Sequence, residues 1–187
     1  MFQSTALGIN SCFSFGDVNG DGIDDMALYS LGSSELFLGS AQGWVPVFSS
    51  QAINAVTTGL VTDVNLDSQA EWIFAQTGQW QSISVDLNNV ELQVVAATKV
   101  QTTQKINAME PADINGDGLP DLVTLGDDYV RVWLNQGGGN FDAPRHIYAG
   151  EGAQGNRVFE QPGQPAELYS IRPAGSGDDL LLNRLSN

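Results

Sequence analysis

The sequence is poor in basic residues, which limits the partners that it can bind. Lysine and arginine together number 7 against 22 aspartates and glutamates, which gives a formal net charge of -15. Because phosphate binding needs a basic surface, this balance excludes nucleic acid as a partner and disfavours anionic membranes. A bound cation, a cationic partner or a neutral partner such as a sugar remains compatible with the composition.

Paired cysteines, long apolar runs and helical periodicity are also missing. Cys12 has no second cysteine to pair with, so a disulfide within the chain is impossible and a small buried residue is expected. No apolar run reaches the roughly 18 residues that a membrane helix needs. The N-terminal stretch "MFQSTALGINSC" lacks the basic start of a signal peptide. We therefore predict no membrane insertion, and the short apolar runs favour β-strands over helices.

Three acidic stretches of the chain share one spacing. "DVNGDGIDD" begins at Asp17, "DVNLDSQAE" at Asp63 and "DINGDGLPD" at Asp113. Each has Asp at the first position, Asn at the third, Asp at the fifth and an acid at the ninth. Their starts lie about 50 residues apart, and self-similarity at such a period is typical of a repeat architecture.

Strand-like runs follow each acidic stretch in the same order. A short apolar run, a turn, an alternating run, a second turn and a last apolar run predict three strands. Together with the strand that precedes the acidic stretch, such as "INSCFSF", they give four antiparallel strands, the size of one β-propeller blade. We predict an all-β domain over 1–187, with repeats near 9–50, 54–98 and 105–150 and a partial repeat at 166–187. About three and a half blades do not close a ring. Three alternatives remain: the chain is part of a longer propeller, a second chain completes the propeller, or the strands form a compact sandwich.

The acidic stretches have the chemistry of calcium loops. Alternate side chains point to one centre, and glycine at the sixth position permits a sharp bend. Cages made only of oxygen ligands suit Ca²⁺. The predicted ligands are Asp17, Asn19, Asp21, Asp25 and the carbonyl of Ile23 in the first loop, and Asp113, Asn115, Asp117, Asp121 and the carbonyl of Leu119 in the third. An EF-hand is disfavoured because the twelfth positions, Leu28 and Thr124, fall in strand-like runs.

The middle acidic stretch departs from this pattern at two positions. Ser68 replaces the glycine and Glu71 replaces the last aspartate, although Asp63, Asn65 and Asp67 are present. A residue other than glycine is strained there if the backbone needs a positive φ. A third metal site and a vestigial turn both remain open for this loop.

Few other residues offer catalytic or ligand-binding chemistry. His146 is the only histidine, and we expect it on the surface of a strand. Trp80, in the predicted turn "GQW", is the tryptophan best placed to stack on a ligand, whereas Trp133 is expected to pack between strands. "GGGNFD" from Gly137 reads as a hairpin turn, and the polar stretch from Glu151 reads as a long loop. We therefore predict no enzyme activity.

The acidic loops and their flanking strands resemble the calcium loops of FG-GAP repeats, as in the integrin α-subunit propeller. The stretch "NGDGLPDLVTLGDDYVRVWLNQGGGNFDAPRHI" is most similar to the bacterial VCBS-type version. The resemblance covers nearly the whole chain, strongly in the third repeat and only faintly in the fourth. It implies a calcium-loaded propeller outside the cytosol, with the ligands named above for the first and third loops.

Composition and resemblance together predict a calcium-stabilised, non-catalytic interaction module. Its partner would be a protein or a glycan, and its setting extracellular, cell-surface or periplasmic, because millimolar calcium outside cells loads even weak sites. The alternative is a structural scaffold within a larger enzyme or toxin whose chemistry lies elsewhere.

Overall fold

All regular structure in the described part of the chain is β-strand, in agreement with the all-β prediction. This computed structural model describes residues 12–30, 32–51, 53, 55–86, 93–102, 105–126, 129–148, 155–159, 166–173 and 180–185. Among them, none lies in a helix long and apolar enough to cross a membrane.

The strands form four antiparallel sheets, and in each sheet strands that follow one another in sequence are hydrogen-bonded neighbours. Sheet 1 contains β1 (Cys12–Gly16), β2 (Asp25–Tyr29), β3 (Ser34–Leu38) and β4 (Val45–Ser50), and sheet 2 contains β5 (Thr58–Thr62), β6 (Glu71–Gln76), β7 (Gln79–Asp86) and β8 (Gln93–Gln101). Sheet 3 contains β9 (Ala108–Ala112), β10 (Asp121–Leu125), β11 (Tyr129–Trp133) and β12 (Arg145–Tyr148), and sheet 4 contains β13 (Gly155–Phe159), β14 (Glu167–Pro173) and β15 (Leu180–Leu185). Each acidic loop joins the first two strands of its sheet, as the repeat pattern predicts.

One strand lies where the sequence reading placed a loop. β13 falls inside the polar stretch that begins at Glu151, and it pairs with β14 from Gly155↔Ile171 to Phe159↔Glu167. The glycines and prolines of that stretch indicated a loop, but it contains a five-residue strand. The fourth repeat is therefore longer than predicted.

The chain divides into two compact units, residues 1–62 with 67–101 and residues 63–66 with 102–187. In the first unit, sheets 1 and 2 pack through one apolar core. Tyr29 lies at its centre, and its hydroxyl is 3.1 Å from the Leu60 carbonyl oxygen and 3.2 Å from that of Ile73. A Cβ on Gly59 would collide with the Tyr29 ring, so glycine is needed where the ring crosses β5. The ring centroid of Tyr29 is 5.9 Å from that of Trp72.

The second unit has its own core between sheets 3 and 4. Val123, Leu125, Val130 and Val132 are buried together with Leu168 of β14. Every residue of β10 is buried, as is typical of a strand covered on both faces.

Candidate functional site

The first acidic loop is organised around the carboxylate of Asp17. Its Oδ1 accepts hydrogen bonds from the backbone N–H groups of Gly20 at 2.7 Å and Asp21 at 3.1 Å, and its Oδ2 accepts one from Gly22 at 2.7 Å. Asn19 Oδ1 accepts from Asp21 N–H at 3.0 Å, and Asp21 Oδ1 accepts from Ile23 N–H at 2.8 Å. The side chains at the first, third and fifth positions therefore all accept hydrogen bonds from the backbone of the loop.

The third acidic loop repeats this network atom for atom. Asp113 Oδ1 accepts from the backbone of Gly116 at 2.7 Å and Asp117 at 3.1 Å, and its Oδ2 accepts from Gly118 at 2.9 Å. Asn115 Oδ1 and Asp117 Oδ1 each accept from the backbone N–H two residues further on, both at 2.9 Å. Two loops of different neighbouring sequence thus reach one geometry through the residues that they share.

The acid at the ninth position is buried in both loops. Asp25 Oδ2 accepts from Val18 N–H at 2.9 Å, and its Oδ1 accepts from Gly39 N–H at 2.8 Å. Asp121 accepts from Ile114 N–H at 2.9 Å and from Asn135 N–H at 2.8 Å. Each carboxylate thus ties the start of the loop to the end of the third strand of its sheet.

Burial raises the pKa of both ninth-position carboxyls above their usual value. The two backbone N–H donors lower the pKa of each, while repulsion from the aspartates at the first and fifth positions raises it. A cation bound among these carboxylates would relieve that repulsion.

Asn135, which the sequence analysis did not single out, holds the third loop in place. This residue is fully buried. Its Nδ2 donates to the carbonyl oxygens of Val64 at 2.6 Å and Pro120 at 3.0 Å. Its Oδ1 accepts from Gly137 N–H at 2.9 Å, at the start of the turn predicted from "GGGNFD". Three glycines in that turn have positive φ, from 62° to 89°, which confirms the turn.

In the middle loop, two residues that disfavour a positive φ nevertheless adopt one. Leu66 and Ser68 have φ values of 61° and 73°, where the third loop has Gly116 at 80° and Gly118 at 84°. The strain expected at Ser68 is therefore present, and Leu66 adds a second strained position that the sequence reading missed. Asp63 Oδ1 still accepts from Leu66 N–H at 2.7 Å.

The first and third loops fit calcium by the chemistry of their donors. Carboxylate, amide and carbonyl oxygens are the only side-chain and backbone acceptors at the five ligand positions of each loop. Within the described residues, no three Asp, Glu, His or Cys side chains form a metal-holding group. Calcium binding therefore remains a proposal, as does metal binding by the middle loop.

Trp80 does not lie in a turn. It is the second residue of β7, pairs with Ala75 and has an exposed fraction of 0%, so its indole offers no surface to a ligand. The turn is one residue pair earlier, at Thr77 and Gly78. Trp133 is buried as expected, and its Nε1 donates to Thr124 Oγ1 at 3.0 Å.

A cavity of about 340 Å³ lies beside the third acidic loop. Its lining combines four aliphatic side chains with three polar ones: Ile114, Val132, Leu134 and Ile147, and Asn115, Arg145 and His146. His146 is exposed on β12, as predicted, and its ring contacts that of Tyr129 at 6.3 Å between centroids. Ile114 and Asn115 belong both to the cavity and to the acidic loop.

Comparison with protein families matches part of the chain. The model of the FG-GAP-like repeat family matches residues 113–160, which begin at the third acidic loop and include the cavity's polar residues. The resemblance to FG-GAP repeats is thus confirmed for this repeat, about a quarter of the chain. No curated protein matches the sequence.

The fold is similar to that of a lectin. A lectin from Agrocybe aegerita, which specifically recognises non-reducing terminal N-acetylglucosamine, matches with a TM-score of 0.62 and 15% sequence identity. The match covers 96% of this chain and 53% of the lectin chain, so this chain spans about half of the lectin's length. At this identity, the similarity concerns the fold.

Proposed function

We propose that this protein is a non-catalytic recognition module that binds a glycan in the cavity beside its third acidic loop. The observation that carries the proposal is the double role of Asn115. Its amide contacts Asp117 within the loop, through Oδ1 at 2.9 Å and Nδ2 at 2.8 Å, and the residue also lines the cavity. A cation that fixes the loop therefore fixes one wall of the binding site.

The cavity lining suits a sugar. Aliphatic side chains such as Val132 and Ile147 can contact the C–H face of a pyranose, while the second N–H of the Asn115 amide can donate to a hydroxyl group. Arg145 and His146 add donors in a chain with only 7 basic residues, so they favour hydroxyl or carboxylate oxygens of the ligand. The fold that the chain shares with a lectin supports this class of ligand.

Calcium has a structural role in this proposal. The first loop would hold it with Asp17, Asn19, Asp21, Asp25 and the Ile23 carbonyl, and the third loop with the corresponding five residues. The bound ion would neutralise carboxylates that repel one another and stabilise the turn between the first two strands of each sheet. Such sites load at the calcium concentrations found outside cells, which supports an extracellular, cell-surface or periplasmic setting.

The repeated four-stranded sheets are, in this proposal, blades of a β-propeller. Their meander order and their spacing of about 50 residues support that architecture. The present chain would provide part of the ring, consistent with its covering 53% of the lectin chain.

A glycan array probed with the chain, followed by calorimetry on the best ligand, tests the proposal. Arg145→Ala and His146→Ala should each weaken binding at least about tenfold, the loss of one charged or well-placed hydrogen bond. Lys99→Ala is the matched control, because it removes an exposed positive charge from β8 in the other unit. We expect it to bind as tightly as the native protein.

Calcium gives the test a second readout. Removing it with EDTA should weaken glycan binding, and Asp117→Asn, at a loop position that does not itself line the cavity, should reproduce the loss. If no glycan binds, or if Arg145→Ala binds as well as Lys99→Ala, the proposal is overturned in favour of a protein ligand or a scaffold.

A further inference from the structure

The cavity beside the third acidic loop carries a charge opposite to that of the chain. Acidic residues outnumber lysine and arginine by 22 to 7, yet the described residues that line the cavity include Arg145 and His146 and no acid. The strands β11 and β12, which supply part of this lining, also contain Arg131 and no acidic residue. Basic side chains are therefore concentrated where the proposed function puts the ligand.

The cavity has an apolar floor and a polar rim. Its aliphatic residues belong to the core of the second unit, in which Val132 is 2% exposed, whereas Asn115, Arg145 and His146 are exposed. A sugar ring on the floor carries its substituents to the rim, within reach of these polar groups. The volume of about 340 Å³ lies near the lower end of the range for small-molecule sites, roughly 300–1,000 Å³. It suits a terminal sugar better than a long stretch of polysaccharide.

Two neighbouring basic residues reach the rim because β12 is the edge strand of sheet 3. Arg145 pairs with Val132 and His146 with Arg131, and successive side chains of a strand point to opposite faces. Both nevertheless line one cavity, since no further strand of the described sheet covers the outer side of β12. The guanidinium and the imidazole can thus approach one ligand from two sides.

We infer, on the basis of the proposed function, that the glycan bound here is acidic. A neutral sugar needs hydrogen-bond donors but no charge, so it does not account for two basic side chains at one cavity of a chain with net charge -15. An anionic sugar does, because the field of the whole chain repels it and local cations must offset that repulsion. Arg145 supplies a planar fork of donors that fits a carboxylate or a similar oxyanion. His146 offers a ring N–H in either of its charge states.

The acidic loop leaves room for such a ligand. Its aspartates are not among the described residues that line the cavity, and both oxygens of Asp113 accept hydrogen bonds from the loop's own backbone, at Gly116 and Gly118. The loop residue that lines the cavity beside Ile114 is Asn115, which is uncharged. The ligand therefore meets only basic and neutral side chains in the described part of the wall.

Calorimetry on matched pairs of sugars, with calcium present throughout, tests the inference. Each pair differs only in its anionic group: galacturonate oligosaccharides and their methyl esters, sialyllactose and its methyl ester, and lactose with and without a sulfate ester. We expect the acidic member of the pair that binds to be favoured at least about tenfold in Kd. The pairs also distinguish a carboxylate from a sulfate ester as the preferred anion.

Variants of Arg145 assign the preference to the cavity. Arg145→Gln removes the charge but keeps a polar side chain, and it should abolish the preference with little change in the affinity for the neutral member. Arg145→Lys keeps the charge without the fork and should retain part of the preference. Lys99→Gln is the matched control, because it removes an exposed positive charge from β8. We expect it to keep the whole preference.

Failure of this inference is distinguishable from failure of the proposed function. If the neutral members bind as tightly as the acidic ones, or if Arg145→Gln loses affinity equally for both, the ligand is a neutral glycan. The inference is then overturned and the proposed function stands. If no member of any pair binds and the glycan array shows no ligand, the proposed function itself is overturned, and this inference with it.

Discussion

The same turn costs more backbone strain in the middle acidic loop than in the first and third. All three begin Asp-x-Asn-x-Asp, and all three place the fourth and sixth residues at positive φ. Glycine occupies those positions in the outer two loops, whereas Leu66 and Ser68 occupy them in the middle loop at about 1–2 kcal/mol of strain each. The middle loop keeps the shape of its neighbours, so the fold imposes the turn even where the sequence opposes it.

The largest effect should come from removing a buried ninth-position carboxylate. Asp121→Ala leaves the backbone N–H groups of Ile114 and Asn135 without their acceptor, at a cost of about 3 kcal/mol in the free energy of unfolding. Urea unfolding measures it. Asp24→Ala is the control, because Asp24 is exposed beside the equivalent residue of the first loop and should change stability little. Equal losses in the two variants would mean that the buried carboxylate does not hold the loop.

The next largest effect should be the rise in Tm on calcium binding, which we expect for the first and third loops and not for the middle loop. Each loaded site contributes about 2.7 kcal/mol at a hundredfold excess over its Kd, or several degrees in Tm. The same substitution at the fifth position of each loop compares them: Asp21→Asn, Asp67→Asn and Asp117→Asn. We expect the calcium-induced rise in Tm to shrink by about half in the first and third variants and to stay unchanged in Asp67→Asn.

Two outcomes of this series would change the comparison. If EDTA did not alter the Tm of the native protein, none of the three loops would bind calcium. A reduced rise in Asp67→Asn would show that the middle loop binds calcium despite its strained turn.

The sequence predicted the repeat, the strand order and the loop geometry because each depends on local patterns. Alternating runs specify strands, and an aspartate followed by glycines specifies a turn that its own carboxylate can satisfy. The positive φ at the sixth position is local in the same way. The spacing alone therefore predicted the preference for glycine there and the strain at Ser68.

Features that depend on distant residues were not predictable in this way. The partners of Asp25 and Asp121 lie 14 residues further along, and Asn135 reaches Val64, which is 71 residues away. Trp80 reads as a turn residue beside Gly78, but the strand begins one residue earlier and carries the indole into the core. The strand β13 was missed because its partner, β14, lies beyond a stretch rich in glycine and proline.

A glycine in an outer loop can be exchanged to test the strain directly. A Cβ on Gly22 or Gly118 would meet no atom within 4 Å, so alanine there adds backbone strain without a collision. Gly118→Ala should lower the free energy of unfolding by about 1 kcal/mol, the cost of a left-handed alanine. Thermal unfolding without calcium measures it, and Gly32→Ala, which has the same open space and no positive φ, is the control. Comparable losses at Gly32 and Gly118 would show that the φ value is not the cause.

The smallest effect should have the opposite sign. Ser68→Gly relieves a φ of 73°, but the added glycine also increases the entropy of the unfolded chain. The two terms oppose each other, so we expect a net gain of about 0.5 kcal/mol, about one or two degrees in Tm. If Ser68→Gly also introduced a calcium-dependent rise beyond that of the native chain, the serine would be what keeps the middle loop from binding the ion. A stabilisation without that rise would instead point to Glu71, which stands where the outer loops have aspartate and whose Oε1 accepts from Ser84 Oγ at 2.9 Å.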